Sequence, residues 1–148
     1  MKYFTYNELT KSATAARLGI DNTPNATEKA NLKAVVDNIL DPLREKWGAP
    51  IVVSSGFRCK RLNEKVGGSK TSQHCLGQAV DIRTVSDKPS DNHKLLHLII
   101  EMGLPFDQLI SEYVDDKGRP DWVHVSFSPR HRRQKLTCKA GKYYTGIK

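Results

Sequence analysis

The sequence predicts an α+β domain in which a small antiparallel sheet carries helices on one of its faces. Three observations support this class. Apolar residues recur at helical spacing mainly early in the chain, short runs with alternating apolar side chains follow, and no repeat or linker divides the 148 residues. A chain of this length buries roughly two-thirds of the surface that it exposes when unfolded, so residues 1–148 are predicted to form a single domain.

The first long helix is the clearest predicted element. Thr27 is a suitable N-cap, Gly48 ends the helix, and the apolar residues between them follow helical spacing. Pro42 lies inside this segment and is expected to kink the helix, because proline removes one backbone hydrogen bond. Two shorter helices are predicted over residues 58–66, before a Gly-Gly pair, and over residues 92–102.

The strands come mainly from the second half of the chain. They are predicted at residues 51–54, 78–84, 109–114 and 122–127. The last two are joined by residues 115–118 (DDKG), which are typical of a hairpin turn.

Side-chain alternation places polar residues on the sheet face that points away from the core. Along residues 78–84 it turns Asp81 away from its apolar neighbours, and along residues 122–127 it turns Trp122 and His124 away from theirs. If the two strands are neighbours, Asp81 and His124 therefore face the same cleft.

A histidine precedes this strand pair at a distance that favours a shared site. His74 lies seven residues before Asp81, and Gly77 allows a turn that brings the imidazole back over the same face. Two histidines and one carboxylate suit zinc, and three protein ligands leave a position open, as in catalytic sites. The residues thus predict a zinc site in a cleft opposite the helices, with a hydrogen-bonded His–Asp pair as the alternative.

The motifs around these residues resemble those of a known family. Residues 72–81 (SQHCLGQAVD) resemble the SxHxxGxAxD signature of the M15 zinc peptidases, D-alanyl-D-alanine carboxypeptidases and L-alanyl-D-glutamate endopeptidases of bacterial peptidoglycan. Residues 122–124 (WVH) resemble the family's WxH signature, and residues 55–58 (SGFR) resemble SGxR. The similarity extends over nearly the whole chain, through residues 8–10, 67–68 and 106–110.

The resemblance implies that His74, Asp81 and His124 bind Zn²⁺. It also implies that Arg58 reaches into the cleft, where a guanidinium can clamp a substrate carboxylate or stabilise an oxyanion. Ser72 and Trp122 are expected near the substrate.

The general base has two candidates. In the family an acidic residue three positions before the last histidine takes the proton from the attacking water, and here this residue is Asp121. Residues three apart on a regular strand face opposite sides, so Asp121 requires an irregular backbone, which Pro120 favours. Glu112, at the end of the preceding strand, is the competing carboxylate and otherwise a substrate-binding residue.

The expected function is zinc-dependent hydrolysis of a peptide bond in peptidoglycan stem peptides. The alternative is a non-catalytic zinc module that binds the cell wall or a protein. The bond that is cut, and whether cleavage is exo or endo, stay open. The chain lacks an apolar signal segment and a membrane span, so we expect synthesis in the cytoplasm and a phage-type lysin or an exported bacterial enzyme.

Charge and cysteine content add further expectations. Residues 129–148 contain seven of the 24 Lys and Arg residues and none of the 16 acids. They are predicted to form a basic C-terminal tail that attracts an anionic cell-wall polymer or is simply a solvated segment. No nucleic-acid-binding motif accompanies this charge, so no specific nucleic-acid partner is expected. Cys59, Cys75 and Cys138 lack CxxC spacing and are expected to be free thiols of a monomeric protein.

Overall fold

The computed structural model describes residues 1–148, which form six α-helices and six strands. The helices are α1 (Tyr6–Thr10), α2 (Ala13–Leu18), α3 (Ala26–Val35), α4 (Asp41–Trp47), α5 (Lys60–Lys65) and α6 (Pro89–Glu101), with a π-helical segment (Val36–Leu40) and a 3₁₀ turn (Gln73–Leu76). The strands are β1 (Ile51–Ser55), β2 (Ala79–Thr84), β3 (Gln108–Glu112), β4 (Trp122–Ser126), β5 (Gln134–Lys139) and β6 (Lys142–Thr145).

All six strands belong to one open sheet in the order β1-β2-β4-β3-β5-β6. Every neighbouring pair is antiparallel except β3 and β5, which run parallel. The predicted α+β class is therefore confirmed, and β3 and β4 form the predicted hairpin.

The long predicted helix extends from α3 through the π-helical segment to α4. Its N-cap is Asn25 rather than Thr27, because the side chains of Asn25 and Glu28 satisfy each other's backbone N–H groups in a capping box. Pro42 distorts the helix as expected, and the distortion is the π-helical segment, where the N–H of Asp41 donates to the carbonyl of Val36. Pro42 thus lies in the first turn of α4, the part of a helix in which proline is best tolerated.

The hydrophobic core lies between the helices and one face of the sheet. Helices α3, α4 and α6 contribute apolar side chains to one cluster with the alternating residues of β2, β3 and β4. The residues of these three strands in the cluster are Val80, Ile82, Leu109, Val123 and Val125. Because these side chains point to the helices, the residues between them point to the other face, as alternation predicts.

The basic C-terminal segment is part of this sheet rather than a tail. Residues 134–145 form β5 and β6, and β5 pairs with β3 through a register that sets Leu136 opposite Ile110. Alternation is weak in this segment because most of its side chains are exposed, although Cys138 is fully buried. The burial of single residues by neighbouring strands is a tertiary effect that the local pattern does not reveal.

None of the helices is long and apolar enough to cross a membrane.

Candidate active site

The open face of the sheet brings together residues from three adjacent strands. Asp81 of β2 is the direct cross-strand partner of His124 of β4, and His124 is in turn opposite Ile110 of β3. Directly opposed residues share one face of an antiparallel pair. The strand neighbours that the sequence required for a shared cleft are therefore present.

The 3₁₀ turn before β2 presents His74 to the same face. Ser72 caps this turn, since its side-chain oxygen accepts a hydrogen bond from the N–H of His74 at 3.2 Å. Gly77 ends the turn with a positive φ of 72°, and a Cβ there would lie 2.5 Å from the carbonyl oxygen of Glu28. Glycine is thus required at this position for two reasons, the left-handed backbone conformation and the close approach of α3.

A second glycine fixes the orientation of the His74 ring. Nδ1 of His74 lies 2.7 Å from the carbonyl oxygen of Gly56, and because a carbonyl only accepts, Nδ1 carries the proton. A Cβ on Gly56 would lie 2.1 Å from the carbonyl oxygen of Leu9, which also accepts from the N–H of Phe57. Only glycine lets this backbone approach α1 so closely, and the result is that Nε2 of His74 points into the cleft.

His74, Asp81 and His124 form a compact group of potential ligand atoms. Oδ1 of Asp81 lies 3.0 Å from Nδ1 of His124 and 3.4 Å from Nε2 of His74. One ligand atom from each residue lies within 4.8 Å of the others. The two imidazole rings meet edge to face with centroids 5.1 Å apart.

The donor set of this group fits a zinc ion. Two imidazole nitrogens and one carboxylate oxygen are ordinary zinc ligands, and the hydrogen bond from Nδ1 of His74 to a backbone carbonyl is the usual support of a metal-binding histidine. Burial raises the pKa of Asp81, but the charges and hydrogen bonds of the two histidines outweigh it and hold that pKa well below its usual range. Asp81 is therefore an anion in a buried place, which is where a bound cation is favoured.

The three residues open into a cavity of about 600 Å³. Arg58, Glu112 and Trp122 line the same cavity, and each has a buried polar atom without a hydrogen-bond partner: Nε, Oε1 and Nε1, respectively. Unpaired buried polar atoms are rare in folded proteins, so their concentration around one cavity indicates a place for a polar ligand. The indole of Trp122 is stacked on Tyr113, with ring centroids 5.2 Å apart.

Arg58 reaches the cavity from a loop, not from a helix. The predicted helix over residues 58–66 begins only at Lys60, with Cys59 as its N-cap. The backbone N–H of Arg58 donates to the carbonyl of His74 at 3.1 Å. This bond ties the loop that carries the guanidinium directly to the 3₁₀ turn that carries a candidate metal ligand.

The two candidate bases differ in position. Glu112 is 7% exposed and lines the cavity. Burial raises the pKa of Glu112 to about 7, while the nearby His124 lowers this pKa and the charge of Asp81 raises it. Asp121 is exposed and does not line the cavity, although its backbone N–H donates to the carbonyl of Glu112 at 2.9 Å. The structure brings Glu112, and not Asp121, into the cleft.

A buried aspartate next to the cavity was not singled out from the sequence. Asp107 is fully buried, and its carboxylate accepts hydrogen bonds from the side chains of Gln73, Ser128 and Arg132 and from the backbone N–H of Arg132. Its signal in the sequence was its place in residues 106–110, one of the segments that carry the family resemblance. The network joins the 3₁₀ turn, the start of β3 and the loop after β4.

The three cysteines and a histidine pair on α6 lie outside the metal group. Cys59, Cys75 and Cys138 are free thiols, as expected, and burial raises the pKa of Cys75. His93 and His97 face each other on α6 with ring centroids 4.3 Å apart, and Nε2 of His97 lies 2.9 Å from the carbonyl oxygen of Lys148.

Comparison with known proteins agrees with this geometry. The family model described as Peptidase M15 matches residues 2–126, which include every residue of the metal group. No curated protein matches the chain.

Proposed function

The chain belongs to the peptidase M15 family, and from this premise we propose that it is a zinc-dependent peptidase that cuts peptidoglycan stem peptides. The single observation that carries the proposal is the group formed by His74, Asp81 and His124, whose ligand atoms lie within 4.8 Å of one another at the wall of an open cavity. A group buried on all sides would suit a structural metal, whereas this one has room beside it for a peptide.

The residues around the group can divide the work of peptide hydrolysis. Zinc supplies Lewis acidity, which polarises a scissile carbonyl and makes water a nucleophile at neutral pH. Glu112 accepts the proton of the attacking water and returns it to the leaving amine. Arg58 adds positive charge beside the metal ligands, where it can bind the oxygen on which negative charge develops. Trp122 shares the cavity face with His124 and supplies an apolar surface for the substrate.

The choice of Glu112 as the base rests on its position. It is opposite Trp122 in the β3–β4 pair, so it lies on the face of His124, one step further along the sheet. Its unpartnered oxygen and its raised pKa of about 7 are those of a carboxyl group that exchanges protons near neutral pH. The ionised form is the active one, so activity is lost as the pH falls through the pKa of Glu112.

The proposed activity is tested by digestion of muropeptides. Purified protein is incubated with muropeptides, with and without a chelator, and the products are separated and weighed by mass spectrometry. We expect peptide cleavage that the chelator removes and added zinc restores. Release of D-alanine identifies a carboxypeptidase, and new amino termini at D-glutamate identify an endopeptidase. Zinc binding without cleavage of any muropeptide would instead support the non-catalytic module.

The assignment of the base is tested with two matched variants. Glu112→Gln is expected to lower kcat by about 10²–10⁴-fold while the protein still binds one zinc ion, because only the proton acceptor is lost. Asp121→Asn is expected to stay within about twofold of the wild type, since an exposed substitution changes little. The opposite ranking of the two variants in a steady-state assay, with zinc content measured in parallel, would identify Asp121 as the base.

A further inference from the structure

The cavity beside the metal group has a surplus of positive charge at one end. Three arginines line it, Arg58, Arg130 and Arg132, whereas its only acidic lining residues are Asp81 and Glu112. Asp81 belongs to the metal group and Glu112 to the catalytic site proposed above. The two arginines that follow β4 therefore need a separate explanation.

Arg132 is neutralised by the protein itself. Its Nε donates to Oδ1 of Asp107 and its Nη2 to Oδ2, both at 3.0 Å, which is the paired geometry typical of arginine and carboxylate. Gln73 and Ser128 also donate to Oδ2. The carboxylate of Asp107 thus has its full set of hydrogen-bond partners and one guanidinium as its counter-ion.

Arg130 is left without an equivalent partner. Its closest carboxylate oxygen is Oδ2 of Asp107 at 3.7 Å, which is too long for a hydrogen bond and already shared by three other donors. Its side chain is 61% exposed on the cavity side of the loop. Apart from this long ion pair with Asp107, Arg130 therefore offers a guanidinium without hydrogen-bond acceptors to whatever occupies the cavity.

The loop that carries Arg130 is held in a disfavoured conformation. His131 and Arg133 have positive φ angles of 43° and 51°, although neither is glycine or asparagine. The loop is fastened on both sides of Arg130, since the side chain of Ser128 and the backbone N–H of Arg132 both donate to Asp107. A strained backbone conformation that surrounding contacts hold in place is commonest at functional sites. Here the strained loop carries the guanidinium of Arg130.

Arg130 and Glu112 lie at opposite ends of the cavity. Asp107, which anchors the loop of Arg130, directly precedes β3, and Glu112 ends β3, whose first and last residues lie about 13 Å apart at 3.3 Å per residue. His124 is opposite Ile110, midway between them. A peptide that reaches from Glu112 across the metal group therefore extends to Arg130.

We propose that Arg130 binds a carboxylate of the substrate, at the end of the cavity opposite Glu112, and so selects acidic peptides. This inference rests on the proposed function and specifies its substrate class. A guanidinium whose hydrogen-bond donors are free binds an anionic group more tightly than a neutral one, because no group of the protein competes for the charge-assisted hydrogen bond. Arg130 is thus a specificity-determining residue.

The test uses muramyl pentapeptides that differ by a single carboxylate. One pair contains D-isoglutamate or D-isoglutamine at the second position, and another contains meso-diaminopimelate or L-lysine at the third. For one of these pairs we expect the wild type to show a KM about tenfold lower for the acidic member. Arg130→Ala is expected to raise the KM of that member about tenfold, to leave the KM of the neutral member unchanged and to leave kcat unchanged for both. Arg130→Lys is expected to recover part of the preference.

Arg133→Ala is the matched control, because Arg133 belongs to the same loop but packs over the ring of Phe106 outside the cavity. It is expected to keep the preference of the wild type. An equal effect of Arg130→Ala on all peptides, or no effect on any, would overturn the proposal.

Binding separates this proposal from the activity on which it rests. The affinity of the same peptides is measured by calorimetry with zinc-loaded Glu112→Gln protein that contains either Arg130 or alanine at that position. One outcome is that the protein with Arg130 prefers the acidic peptide, the protein with alanine does not, and the wild type cleaves no peptide. This outcome would support the role of Arg130 and refute the peptidase activity. Cleavage by the wild type without a binding preference for the acidic peptide would support the peptidase activity and refute the role of Arg130.

Discussion

Asp81 and Asp107 lie at the same sheet, the first largely and the second fully buried, and their charges are stabilised in different ways. Asp107 is surrounded by hydrogen-bond donors and paired with Arg132. Asp81 has only the imidazoles of His74 and His124 within reach. In both residues burial raises the pKa, and in both the surrounding donors outweigh it and keep the pKa below its usual range.

This difference distinguishes a carboxylate with a structural role from one that is available to bind a metal ion. A carboxylate that has its own counter-ion and a full set of donors needs nothing further, so Asp107 is structural. The partners of Asp81 are imidazoles, which are themselves metal ligands by chemical type. The charge of Asp81 is therefore left for a cation that the protein binds from solution.

The largest expected effect separates the two aspartates by activity. Asp81→Asn is expected to lower kcat/KM by about three orders of magnitude, because a weakened metal site loses several kcal/mol of transition-state stabilisation. Asp107→Asn, assayed at a temperature at which it is fully folded, is expected to keep most of the activity and one zinc ion per chain. The zinc content of both variants is measured by inductively coupled plasma mass spectrometry, and their activity is measured from initial rates. Equal losses in the two variants would show that the comparison is wrong.

The second prediction concerns stabilisation by the metal. Zinc at about 1,000 times its dissociation constant is expected to stabilise the wild type by about 4 kcal/mol, which raises Tm by roughly 10 °C in a chain of this size. Asp107→Asn is expected to gain as much, since its metal group is intact, whereas Asp81→Asn gains little. Thermal unfolding is recorded for each protein with zinc and with chelator. A gain in Asp81→Asn equal to that of the wild type would place the metal elsewhere.

The third prediction concerns the stability of the metal-free protein, in which Asp107→Asn and not Asp81→Asn is expected to have the larger effect. Asp107→Asn is expected to lose about 3 kcal/mol of unfolding free energy, because it leaves the buried side of Arg132 without its counter-ion. Asp81→Asn is expected to lose about 1 kcal/mol or less, since the amide of asparagine can still form the hydrogen bond with Nδ1 of His124. Urea unfolding in the presence of chelator measures both values.

The same experiment has a defined pH dependence. Because the pKa of Asp107 is lowered on folding, its charge stabilises the protein above the usual aspartate pKa of about 3.9 and this contribution is lost as the pH falls further. The stability difference between the wild type and Asp107→Asn is therefore expected to be constant from pH 8 to 5 and to shrink below about pH 4. A difference that grew on acidification would contradict the assigned charge state.

The smallest expected effect tests whether the two aspartates are coupled. Gln73 donates to Asp107 at 2.9 Å and is the direct neighbour of His74 in the 3₁₀ turn. Gln73→Ala is expected to cost about 1 kcal/mol of stability, one hydrogen bond among several. It is expected to weaken zinc binding by about tenfold at most, because it orients the turn without touching the metal. Competition with a chelating dye measures this affinity, and a larger loss would indicate that Asp107 organises the metal group.

Local patterns were sufficient for the parts of the fold in which one face of an element is buried. Helical spacing predicted the long helix and the helix that became α6, and strand alternation predicted that Asp81 and His124 share a face if their strands are neighbours. The distortion caused by Pro42 was predicted, although not that it takes the form of a π-helical segment. The helix start at Asn25 was missed because several polar residues near an end can cap a helix, and only one is oriented to do so.

The sequence by itself determined the α+β class, the alternation of the strands and the motifs that hold His74, Asp81 and His124, because these depend on residue types at short spacing. Only the tertiary structure decided that β5 lies beside β3, that Glu112 rather than Asp121 faces the cavity, and that Asp107 accepts hydrogen bonds from Arg132 but not from Arg130. Each of these depends on contacts between segments distant in the chain. Their energies come from burial and charge pairing in three dimensions, which no local pattern records.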